Sequence, residues 1–183
     1  MKNKININNI SDKCLKLKGF DERGCFGCAC PDSCCRFGAD FDAESYELVI
    51  ANGSAIEPLI GRKVRDCFGK KWHNDPEYLG GKMIRSRKGP DDFCAFHNPS
   101  GKGCVLYKLA MEKKSARRII PSICRVFPLT WDNGRLVVYD EHDDGAIPRT
   151  CNCVEPSNKT LKTVIQTRQE EFEDIFALYG FQI

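Results

Sequence analysis

Apolar and polar positions follow different periods along this chain, and each period predicts an element. The stretch "DFDAESYELVIANG" reads as a short helix, with Asp42 as N-cap, Tyr46, Leu48, Val49 and Ile50 as its apolar side, and Asn52-Gly53 as its stop. A second start follows at once. Ser54 and Glu57 stand at capping-box spacing, Pro58 falls in the first turn, and Leu59, Ile60 and Val64 supply the buried side. Between Cys67 and Lys88 the pattern is mixed, with a short strand expected at "KMIRSR".

Further on, "DFCAFHNPSGKGCVLYKLAMEKK" predicts a strand carrying Cys94 and a turn over "NPSGKG". Cys104 then faces Cys94 and leads into a run that becomes helical towards Lys113. The strongest hairpin signal is "LTWDNGRLVVYD", where Asp132 to Gly134 join two β-prone runs. Leu161, Val164, Ile165, Phe172, Ile175, Phe176 and Tyr179 recur at helical spacing. They predict a packing helix over about residues 159–179, stopped by Gly180. The polar, Asn/Lys-rich residues 1–20 read as an extended lead-in, and residues 21–183 as a single domain. The fold class expected is α+β: a small, irregular, cysteine-rich domain held by metal, with a β-hairpin and a C-terminal packing helix.

Composition changes this picture at one point. A chain of 183 residues with 42% hydrophobic content can build a real core without staples. Its 28 basic and 25 acidic residues are interspersed, so the net charge of +3 gives no footprint for nucleic acid or an anionic membrane. No apolar run reaches the length of a signal peptide or a membrane helix, and the cytoplasm is the expected location. There, twelve cysteines argue for a metal site rather than a disulfide framework.

Five of those cysteines fall in "CFGCACPDSCCR", a Gly/Pro/Asp loop with no apolar segment to bury them. Soft thiolates select zinc, copper(I) or iron-sulfur clusters. Cys25-x2-Cys28 is a chelate spacing, and Cys30-x3-Cys34 follows it. Adjacent side chains of an extended segment point to opposite sides, so Cys34 and Cys35 suit two ions or a polynuclear cluster, or one of them is structural. Cys94-x9-Cys104, Cys124 in "PSICRVFP", and Cys151-x-Cys153 after the hairpin would clamp the loop to the rest of the fold. Cys14 and Cys67 lie outside any spacing and read as small buried hydrophobes.

Three blocks in order, "CFGCACPDSCCR", "CAFHNPSGKGCVLY" and "PSICRVFP", resemble the YkgJ-type cysteine-cluster family, which is associated with zinc or iron chelation and a CxxCxxxCC-like signature. The resemblance spans Cys25 to Pro128. It implies Cys28, Cys30, Cys34, Cys35, Cys94, Cys104 and Cys124 as ligands, with Cys25 competing for the first position. Pro121, Arg125, Phe127 and Pro128 complete the last block. An extra cysteine crowds the first block, and Ile120 stands where the family often has Arg. One branch comprises flagellin lysine N-methylases, which use S-adenosylmethionine. Those enzymes are longer, and no Gly-rich cofactor loop follows a strand here.

Other residues admit two readings each. His97, directly after "CAF", has ligand spacing from Cys94 (Cys94-x2-His97) and is equally a turn histidine. His142 in "DEHDDG" suits a harder ion or a solvated loop, and the loop is favoured. His73 in "KKWHNDP" reads as surface. Lys113, Lys114, Arg117 and Arg118 form a basic helix end without interleaved aromatics. The function expected is cytoplasmic metal binding, through zinc or an iron-sulfur cluster held by Cys25, Cys28, Cys30, Cys34, Cys35, Cys94, Cys104 and Cys124. Two rivals stand beside it: a metal- or cluster-dependent enzyme such as a lysine N-methylase using S-adenosylmethionine, and a redox module built on Cys25-x2-Cys28. The expected partner is the metal ion itself; no protein or small-molecule partner is named by the residues.

Overall fold

The computed structural model describes residues 4–18, 32–113, 116–141 and 162–180. It is a mixed α+β structure. Its strands are β1 (Ile5–Ile7), β2 (Asn9–Ile10), β3 (Asp40–Asp42), β4 (Phe68–Asn74), β5 (Lys82–Ser86), β6 (Leu129–Asp132), β7 (Arg135–Val138) and β8 (Phe176–Leu178). The helices are α1 (Asp12–Lys16), α2 (Ala43–Ala51), α3 (Gly53–Ile60), α4 (Val105–Lys113), α5 (Ser122–Val126), α6 (Val164–Thr167) and α7 (Gln169–Ile175). By contacts the chain divides into two compact units: Cys34–Arg125, and Met1–Ser33 with Val126–Ile183.

The unit that joins the two chain ends is organised by the predicted hairpin. Asn133 and Gly134, at φ 49° and 71°, form the left-handed turn that matches the twist of β6 and β7. Residues of the expected lead-in are built into this unit: β2 adds to β7 in parallel, and β1 pairs in parallel with β8. Leu129, Leu136, Val138, Ile7, Phe172 and Ile175 are fully buried, and Trp131 meets Phe176 edge-on at 5.2 Å.

The C-terminal helix differs from its prediction. It starts at the capping box of Thr163 and Gln166, breaks at Arg168, and ends at Ile175. Val164, Ile165, Phe172 and Ile175 form the buried stripe as expected. Phe176 leaves the helix because its backbone is taken by Ile5 across a sheet, a partner about 170 residues away that periodicity cannot see. Tyr179, read as part of the stripe, is exposed, and Leu161 lies outside the described residues.

In the Cys34–Arg125 unit, the sheet order is β3-β5-β4, all antiparallel. β5 is the strand foreseen at "KMIRSR"; β4 beside it was not foreseen. Phe41, Phe68 and Phe96 pack on one another at centroid distances of 5.0 to 5.3 Å and make the centre of this core. α2 begins where predicted, but its buried positions are Ser45 and Val49, whereas Tyr46, Leu48 and Ile50 are half-buried. Asp42 caps it, accepting from Ser45 N–H at 3.0 Å and Ser45 Oγ at 2.9 Å.

The predicted capping box of the next helix is not formed. Asn52 is the N-cap of α3 and makes no side-chain cap bond. Glu57 instead accepts from the Val64 N–H at 3.1 Å and from Lys63 Nζ at 2.8 Å, which closes the turn after the helix. Its buried residues are Ile56 and Ile60, with Leu59 exposed. The strand expected at Cys94 is also absent. Lys88 bridges Cys94 and His97 bridges Cys104 as isolated pairs, and α4 begins directly at Val105.

Candidate metal centre

The Cys34–Arg125 unit collects the cysteines of all three sequence blocks that fall among the described residues. Cys34 and Cys35 lie on a 3₁₀ turn, Ser33–Phe37. The backbone of Cys35 is tied to the second block by a hydrogen bond, the Cys94 N–H donating to the Cys35 carbonyl at 2.6 Å. Cys104 stands immediately before α4, and its carbonyl accepts the Lys108 N–H at 3.0 Å. Cys124 is in α5, whose first residue, Ser122, donates its N–H to Asp42 at 3.2 Å. One buried carboxylate thus caps α2 and fixes the block that carries Cys124.

These thiols act on one another electrostatically. The Cys35 thiol is pushed strongly upward by its hydrogen bond with Cys34, then by burial, and then by the neighbouring sulfurs of Cys34, Cys104 and Cys124. Cys94 is raised by burial and by Cys34, against hydrogen bonds from Ser86 and the Phe96 N–H that favour its thiolate. Cys104 is pushed up to about 12 by burial and Cys94, against the N–H groups of Tyr107 and Leu106. Two opposed influences act on the same sulfurs: crowding and burial disfavour the charged form, while preplaced backbone donors favour it.

Ser86 has a defined part in this arrangement. Its Oγ accepts the Ala39 N–H at 2.8 Å and lies 3.4 Å from Cys94 Sγ, where either group can donate; once the sulfur is a thiolate, the hydroxyl is the donor. Gly38, at φ 73°, precedes this contact, and a Cβ there would stand 3.0 Å from Ser86 Oγ. Sequence reading missed Ser86, since a lone serine in "KMIRSR" carries no spacing signal.

Cys67, outside any ligand spacing, comes within the influence of Cys94. It is buried, as expected of a small hydrophobe, and burial pushes its thiol up to about 11; Cys94 contributes to that shift. Backbone bonds explain the approach: Arg87 N–H donates to the Cys67 carbonyl at 2.7 Å, and Ala95 N–H to the Arg87 carbonyl at 2.9 Å. The β4–β5 pairing brings about this proximity. Cys14, in the other unit, is buried with Ser11 and Glu141 as neighbours and no described thiol among the influences on it.

His97 has several described contacts of its own. Its ring stacks on Phe93 at 4.2 Å, its Nδ1 is 3.4 Å from the Asp91 carboxylate, and Arg36 covers the Phe93 ring at 4.4 Å. His73 is exposed on β4, as read. At the start of "DEHDDG", Glu141 accepts from Ser11 and the Val138 N–H, each at 2.7 Å, and Asp140 pairs with Lys13. These two carboxylates are structural. His142, Cys25, Cys28, Cys30, Cys151 and Cys153 lie outside the described residues. Arg118 of the basic helix end pairs with Glu44 at 3.1 Å.

The seven described cysteines are present as thiols. Among the described residues, no three His, Cys, Asp or Glu side chains stand in the geometry of a metal site, and no helix is long and apolar enough to cross a membrane. Comparison with protein-family models finds no match for the chain, and searches of curated proteins and of solved structures find none either.

Proposed function

We propose that the chain is a cytoplasmic thiolate metal-binding protein of the cysteine-cluster type its motifs resemble, taking zinc or an iron-sulfur cluster. Cys34, Cys35, Cys94, Cys104 and Cys124 would supply ligands from the described unit, with Cys25, Cys28 and Cys30 from the first block. The observation that carries this reading is the gathering of thiols from three separate blocks into one compact unit, within electrostatic reach of one another. Such crowding raises their pKa values while no cation is present, and a thiophilic cation would reverse its sign by binding the deprotonated sulfurs. The backbone N–H groups at Cys94 and Cys104 suit that bound state, because hydrogen bonds to sulfur stabilise metal thiolates and tune them.

The bound metal would supply structural stabilisation, and at an open coordination position Lewis-acid or redox chemistry as well. The raised thiols of Cys35, Cys94 and Cys104 oppose a dithiol redox role for them, since reactive cysteines have lowered pKa values.

Elemental analysis with an absorption spectrum, on protein purified without oxygen, tests the proposal. Near-integral zinc in colourless protein supports a structural or binding module. Iron with acid-labile sulfide and a visible charge-transfer band supports a cluster. Metal-free protein that takes up neither zinc nor iron removes the reading.

A further inference from the structure

The net charge, dispersed when averaged over the chain, is concentrated in the structure. Lys70–Lys88, running from within β4 to just past β5, holds six basic and two acidic residues; with the whole chain at +3, everything outside it nets −1. β4 is an edge strand, since the sheet order is β3-β5-β4. Five consecutive residues of it, Lys70 to Asn74, are exposed. Of the basic residues in the hairpin, Arg85 pairs with Asp40 at 2.9 Å and Lys88 with Asp92 at 3.0 Å. Lys70, Lys71, Lys82 and Arg87 have no carboxylate partner among the described residues. The hairpin's own acids lie in its connecting turn, where Asp75 accepts the Glu77 N–H at 2.9 Å.

An aromatic ring sits within this charge. Trp72 is 37% exposed, braced edge-on by Tyr46 at 5.1 Å, with Lys82 Nζ 4.9 Å from its ring centroid. Lysines on an edge strand guard against strand-to-strand association, and one or two would do so. That role does not require four cations without a carboxylate partner among the described residues on one hairpin, one of them, Lys82, over an exposed tryptophan. A positively charged extended strip beside an aromatic face is the arrangement that binds single-stranded nucleic acid, with cations on phosphates and the ring beneath a base. No helix is presented there for a major groove, and the seven-residue strand is roughly 23 Å long.

We propose that the β4–β5 edge, through Lys70, Lys71, Trp72, Lys82 and Arg87, is a contact surface for single-stranded nucleic acid. It stands apart from the metal-binding reading and does not depend on it.

Fluorescence anisotropy with a labelled oligothymidylate, the full chain and low salt tests this directly. Four phosphate contacts predict an affinity loss of about 50-fold between about 50 and 200 mM salt. Lys70→Glu with Lys71→Glu should weaken binding at least tenfold. Trp72→Ala should weaken it about tenfold, and unchanged circular dichroism would show that these exposed positions leave the fold intact. Because the second tryptophan, Trp131, is buried, quenching of intrinsic fluorescence on binding should vanish in Trp72→Phe. The proposal is overturned by absence of binding at low salt, by equal affinity for duplex of the same length, by unchanged binding in the double lysine variant, or by binding to anionic vesicles but not to the oligonucleotide.

Discussion

Cys14 and Cys94 are both buried thiols pushed upward by burial, yet they belong to different chemistry. Cys14 sits in the unit built from the two chain ends. Ser11 caps its helix through the Cys14 N–H, and Glu141, Arg135 and Asp140 are the charges it feels. Cys94 sits in the other unit with a serine hydroxyl and a backbone N–H directed at its sulfur and Cys34 nearby. Burial alone marks a cysteine as a small hydrophobe. Ser11 also favours the Cys14 thiolate, so it is the neighbouring sulfurs that single out Cys94 as a ligand on the proposed reading, and the comparison can be broken at either end.

The largest effect is expected from Cys94→Ser, which should reduce retained metal from near-integral to a small fraction, while Cys14→Ala leaves metal content unchanged. Elemental analysis of both variants checks this, and equal loss in the two would erase the distinction.

Next in size is Asp42→Ala. It removes the cap of α2 and leaves the buried N–H of Ser122 without its acceptor, so a loss of about 2–4 kcal/mol is expected in chemical denaturation.

The Cys14 thiol then gives a pH signature of its own. With its pKa raised from 9.0 to about 12, it remains neutral in the fold where the unfolded chain would ionise. Stability is therefore full below about pH 9 and declines as pH rises towards 12, by about 1.4 kcal/mol per pH unit. Urea midpoints between pH 8 and 10.5 should show the decline, and Cys14→Val should make it shallower by about 1.4 kcal/mol per pH unit, the remainder belonging to the other raised thiols, Cys67 and Cys104 among them.

Gly134→Ala is a smaller test in the same unit. It places a Cβ at φ 71° and 3.3 Å from Asn8 Nδ2, for a cost of about 1 kcal/mol, read as a lowered melting temperature. Smallest is Ser86→Ala, which leaves Cys94 in place without its hydroxyl donor. Metal should still bind, but up to about tenfold more weakly in chelator competition, and unchanged affinity would reduce Ser86 to a packing role.

Elements fixed by neighbouring residues were legible in the sequence. The Asn133-Gly134 turn, the Asp42 cap and the strand at "KMIRSR" depend on contacts a few residues long, and the structure has all three. Illegible were elements decided by distant competition. Phe176 has the right spacing for a helix and is claimed by Ile5; Glu57 has the right spacing for a capping box and is claimed by Val64 and Lys63. The candidate site divides the same way. Spacing singled out Cys34, Cys35, Cys94, Cys104 and Cys124, whereas Cys67 and Ser86 come near Cys94 only through the β4–β5 pairing and its continuation at Arg87.

The most direct test of the central claim is X-ray absorption at the edge of whatever metal the purified protein holds, compared with Cys104→Ser. The account predicts a shell dominated by sulfur, near 2.3 Å if the metal is zinc, that loses sulfur in the variant. A shell of oxygen and nitrogen alone, or one unchanged by the substitution, would contradict it.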